Sequence, residues 1–390
     1  NVSGITTLGV ASATNLTAQQ LNVTGLSTFA GITTVTGTTL FIKQLNSSGI
    51  VTASRFESTA ANSTNFIAGF QAGLTANSAS DNNVLIGYQA GYDLDSSDNN
   101  VAIGYQALYS TSNLGTNNNI AIGYQAMQLA TNGDDNIAIG YQAGQDITSG
   151  VRNTYVGYFA GLNATSGNDN TAIGPYASGS GVLTGSYNVN LGYAAGYYAT
   201  SGNHNIHAGY FAGGQYSLSN TGTGNIYLGF EAGTFNSNAS YNVALGHNAM
   251  GNGTITAGEN VAIGYNAHQG LTSGQQNVVL GAHAAENGTS TGSYNTDVGA
   301  YAGYDNDNTN GNINIGYAAG YLSDTAIYNT FVGYFAGYLS ETSYNTCFGY
   351  YAGANIQGAN SNTAIGYQAG YNINGYGNIA LGEGAMYSHD

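Results

Sequence analysis

Apolar and polar positions alternate along this chain in short bursts, with a period of two instead of the 3.6 of a helix. From residue 65 onward each burst reads Asn, apolar, variable, apolar, Gly, aromatic, variable, Ala. A period of two over so few residues predicts a short strand with one buried face. On this reading the flanking residues, such as Val101 and Ile103 or Ile120 and Ile122, form the buried face. The residue between them drifts through Ala102, Tyr155, Asn190, His207, Asp297 and Cys347, and is expected to point outward. The glycine permits a corner or a close backbone approach. The stretch to the next burst is Ser, Thr, Asn, Asp and Gly, which is turn chemistry.

The burst recurs 19 times, with its central glycines 16 to 20 residues apart. Asn stands four positions before each of them, as in Asn100, Asn119, Asn136 and Asn362. Ala stands three positions after, as in Ala107, Ala126, Ala143 and Ala369. So short a unit cannot bury its own apolar face, so the copies must stack. The expected fold is therefore all-β: a β-solenoid or β-roll of about 19 coils over residues 61–390. At about 4.8 Å per stacked strand the coils make a rod on the order of 90 Å long. Stacked Asn side chains form an amide ladder, and the alanines fit where neighbouring walls meet. Tyr or Phe follows the glycine in 14 of the 19 copies, Tyr105, Tyr124, Tyr141 and Tyr367 among them, which is enough for an aromatic ladder. Its fixed period predicts packing inside the coil or between chains, whereas Tyr92, Tyr198, Tyr304 and Tyr321 lie off the ladder and are expected to be exposed. Residues 1–60 follow a looser Thr, Val and Ile-rich β pattern. They have too little core to stand alone, which suggests an intertwined shaft of several chains.

Composition narrows the function. Only 3 residues are basic against 19 acidic, for a formal net charge of -16. Three cations cannot make a nucleic-acid groove or hold the chain on anionic lipid. No run of about 18 apolar residues is present to insert into a membrane. With 42% hydrophobic residues the chain is also too apolar for a disordered acidic segment. The single Cys347 rules out an intrachain disulfide framework.

The bursts NVAIGYQA, NIAIGYQA and NTAIGYQA resemble the coil motif of trimeric autotransporter adhesin heads, and are similar to repeats of phage tail-fibre and tailspike-like proteins. The opening phrase LNVTGLSTF resembles repeats in tail-fibre-like proteins of marine cyanobacterial phages. The resemblance implies a homotrimeric fibre on a virion tail or otherwise outside the cell. Such a fibre attaches to a host-surface glycan or protein receptor by displaying its turn loops many times over. A secreted bacterial adhesin or matrix filament, and an enzyme-bearing polysaccharide-degrading spike, are the alternatives. The chain opens at Asn1 without Met, as a processed or truncated piece would. The lack of a capping repeat after the last burst predicts that the gene continues beyond Asp390 into a receptor-binding or chaperone module.

Candidate chemistry is sparse. The acidic residues lie in turns and form no pair inside the burst, so no catalytic residue is assigned and an enzyme is not expected. No organic cofactor is implied. The turns carrying Asp93, Asp95 and Asp98, and Asp305 and Asp307, offer hard oxygen ligands of the kind Ca²⁺ takes. His204 and His207 are three apart, with His207 expected on the surface.

Overall fold

The computed structural model describes residues 64–76, 80–110, 115–214, 220–305, 307–358 and 360–389. The shaft expected for residues 1–60 lies outside them. The described residues form a parallel β-solenoid with no helix. Nineteen three-residue strands, from Phe66–Ala68 to Ile379–Leu381, make one sheet in which each strand pairs with that of the next coil. The register is one coil per repeat: Val101 lies opposite Ile120, Ala102 opposite Ala121, and Ile103 opposite Ile122. The longest coil keeps it, with Ile206 opposite Ile226, because extra residues are absorbed in the turns. The other wall is sparser. It has isolated bridges such as Ala164 to Leu183 and, at the end, paired strands Asn355–Ile356, Asn372–Ile373 and Ser388–His389.

Three ladders hold the coils together. Gly104 has φ of +136°, and a Cβ there would lie 2.3 Å from the carbonyl oxygen of Gly123. Both facts require glycine. The Asn ladder is a closed set of hydrogen bonds. The peptide N–H of Asn119 donates to Oδ1 of Asn100 (3.0 Å), and that of Asn136 to Oδ1 of Asn119 (2.9 Å). Nδ2 of Asn119 and of Asn136 donate onward to the carbonyls of Gly133 (2.9 Å) and Gly150 (2.8 Å). Asn362 continues the ladder from Asn345 at 3.0 Å. The alanines Ala107, Ala126, Ala143 and Ala369 are fully buried. A fourth ladder, absent from the sequence reading, links Gln71, Gln89, Gln106, Gln125 and Gln142 through side-chain amides at 2.9–3.0 Å.

The structure inverts the expected strand faces. The middle residues Ala102, Tyr155, Asn190, His207, Asp297 and Cys347 are inside the coil, and the flanking apolar residues are outside. Ile139 and Ile173 are 37% and 43% exposed. The reason is parity. The buried Asn is two residues before the middle position, so both must share one face of the strand. His207 is accordingly interior.

Variation at the middle position is compensated four residues after the glycine. Ala102, Ala121 and Ala244 are matched by Leu108, Met127 and Met250, while Tyr155, Tyr227 and Phe331 are matched by Gly161, Gly233 and Gly337. Where both positions are small, as at Ala138 with Gly144, Ile147 fills the space from further round the coil. The apolar column comprises three clusters. Polar coils separate them: Nδ2 of Asn190 donates to Ser178 Oγ (2.5 Å) while its Oδ1 meets His207 Nδ1 (2.8 Å), and Asn314 Nδ2 donates to Asp297 (2.7 Å).

Candidate interaction surface

Putting the flanking residues outside creates an apolar strip along the continuous wall. One row runs through Val101, Ile120, Ile137 and Thr154, and a second through Ile103, Ile122, Ile139 and Val156. The aromatic ladder borders the strip. Tyr88, Tyr105, Tyr124 and Tyr141 stack with ring centroids 5.0–5.1 Å apart and planes within 7°. Their rings are outside the coil, with Tyr141 41% and Tyr367 49% exposed, so the ladder does not pack inside it. The off-ladder residues Tyr92, Tyr198, Tyr304 and Tyr321, expected to be exposed, are half-buried. About 90 Å of such a wall, four residues wide, amounts to on the order of 1,000 Å². Soluble monomers rarely leave so large an apolar patch uncovered.

The acidic turns separate into two cases. Asp93 accepts from Thr75 Oγ1 (2.9 Å), Asp98 accepts from the peptide N–H of Asp81 (2.7 Å), and Asp95 is exposed. These three are not gathered. Asp305 and Asp307 are joined by Asp324, from the next coil, with carboxylate oxygens within 4.8 Å of one another. Burial, then the neighbouring carboxylates, pushes the pKa of Asp305 and Asp307 above the usual range. The donor set is all oxygen, of the type Ca²⁺ takes. The pairing register, not sequence proximity, brings Asp324 there.

The buried titratable groups are packed groups. His207 stacks on Tyr227 with centroids 5.4 Å apart, and His268 Nε2 meets Ser290 Oγ at 3.0 Å. Burial pulls both imidazoles down to about 4 and pushes the Cys347 thiol up to about 12. His204 lies elsewhere, stacked against Tyr187 at 4.9 Å, so the two histidines do not converge.

Besides single departures at Pro175 and Glu383, the aromatic border is interrupted over two consecutive coils, where Ala282 and Ala300 follow the glycine. There His283 stacks on Tyr301 at 4.8 Å, and His283 Nδ1 meets a carboxylate oxygen of Glu286. The other Glu286 oxygen accepts from Asn266 Nδ2 at 2.7 Å. A groove of about 260 Å³ opens beside Glu286, lined also by Asn252, Gln269, Asn287 and Tyr304. In comparison with known proteins, the chain matches no family model and no curated protein.

Proposed function

We propose that this chain is the rod of a structural and adhesive fibre, a homotrimeric phage tail fibre that attaches the particle to its host. The carrying observation is the apolar outer wall with its aromatic border, which no part of the same coil covers. Its area exceeds the roughly 800 Å² per partner of a standard protein interface. Side-by-side association of parallel chains would cover it, with the Asn, Gly and Ala ladders keeping each coil in step. The opposite wall and the turns then face outward and repeat along the rod, so that weak contacts with a surface glycan or protein add up. The formal charge of -16 keeps such an assembly soluble. Labelling intact particles with an antibody to residues 64–389 tests the assignment. Label on the tail appendages is the expected result, and label confined to cell-surface filaments would replace it with a bacterial adhesin.

A further inference from the structure

In a repeat protein, places where the repeat rule fails are where function is expected. The one failure that runs over two consecutive coils is the loss of the post-glycine aromatic at Ala282 and Ala300, and the groove lies on the turn side of the same coils. Five residues after the glycine, successive coils present Gln269, Glu286, Tyr304, Tyr321 and Tyr338 in one row along the rod. Tyr304 and Tyr321 stack at 4.8 Å with planes 4° apart, and Tyr338 follows at 5.1 Å. A ring within a stack has both faces covered, but the ring heading it has one. Tyr304 heads this stack, since the preceding coil places Glu286 in the row; the Tyr301 ring leans against it at 5.8 Å and 51°, not stacked, and Tyr304 bounds the groove.

We infer that the groove between Glu286 and Tyr304 binds a neutral or amino-bearing pyranose of a surface polysaccharide. The apolar face of a sugar ring packs on an uncovered aromatic face. Its hydroxyl pairs suit planar side chains that donate and accept side by side, which Asn252 and Gln269 supply. Glu286 is acceptor-only, and His283 and Asn266 hold it in place while lone pairs remain on both oxygens. Asp305, Asp307 and Asp324 in the adjoining coils argue against an acidic sugar. Rows along the rod repeat about every 4.8 Å, close to the rise per residue of an extended pyranose chain, so a linear glycan can lie along them. The inference rests on the adhesive reading for its biological meaning, but binding is a property of the isolated chain.

The test is saturation-transfer NMR on the full chain with cellotriose, maltotriose and chitotriose, alongside thermal melts. At least one sugar should bind, with saturation concentrated on one ring face. Tyr304→Ala and Glu286→Gln should each weaken it about tenfold, and Tyr304→Phe should retain it. Tyr141→Ala, in the ladder away from the groove, should leave it unchanged. No binding of any of the three at about 10 mM, or equal binding by a Tyr304→Ala variant with an unaltered Tm, would overturn the inference. Antibody labelling of particles is independent of this result, so failure of the sugar site and failure of the fibre assignment are read separately.

Discussion

Gly161 leaves open the space that the ring of Tyr155 occupies: a Cβ on Gly161 would lie 2.6 Å from the ring carbons. The same coil interior is filled from the other side where Ala121 faces Met127, and Met127 adopts the same left-handed backbone, with φ of +50°. Two residues six apart in sequence thus share one volume. Alone, Tyr155→Ala should cost about 3–5 kcal/mol by opening a cavity. Gly161→Met alone should cost about 1–3 kcal/mol by overpacking. Together they should restore the Ala and Met arrangement, with a favourable coupling of up to about 3 kcal/mol in a double-mutant cycle of denaturant melts. Strictly additive costs would contradict shared packing.

The Asn ladder makes a different prediction, because its loss leaves partners unmatched. Asn136→Leu removes the acceptor for the peptide N–H of Asn153 (2.9 Å) and the donor to Gly150 (2.8 Å). Each buried orphan should cost about 1–3 kcal/mol. Ala143→Phe should overpack a fully buried position by a similar amount. Melting temperatures check both.

The repeat, its register and the β-solenoid were legible from the spacing of glycine, asparagine and alanine, because a fixed period with all length variation in the turns admits only stacking. The inside and outside of the coil are not legible from hydrophobicity alone, because parity, not apolar character, decides which strand residues face inward. Ile103 and Ile122 look like core residues and Asn190, His207 and Asp297 do not. Yet the invariant Asn two positions earlier already places the middle residue inward, and the alternation of Tyr155 with Gly161 and Ala121 with Met127 carries the same signal. The Glu286 groove and the approach of Asp324 to Asp305 and Asp307 depend on which turns become neighbours, which requires the register coil by coil.

Acid should loosen the rod through its buried histidines. Burial lowers His207 and His268 from an ordinary 6.5 to about 4, so the unfolded chain binds more protons than the folded one below about 6.5. Stability from these groups is therefore intact above that pH and falls as pH drops towards 4, by at most about 3 kcal/mol per histidine. Asp305 and Asp307, raised by burial and by neighbouring carboxylates, act in the opposite direction. Replacing His268 by Met copies the pairings of Ala121 with Met127 and Ala244 with Met250. The Tm of His268→Met should fall less than that of the wild type between pH 7 and about 4.5. Parallel pH profiles would show that His268 is not buried in its neutral form.

Sedimentation equilibrium of the full chain tests the proposal that further copies of the chain cover the outward apolar wall. A particle of about three times 39.8 kDa is expected. Ile122→Asp together with Ile139→Asp, on the wall, should dissociate the particle while leaving the solenoid β signal in circular dichroism. A wild-type chain that sediments as a single species of 39.8 kDa would contradict the proposal.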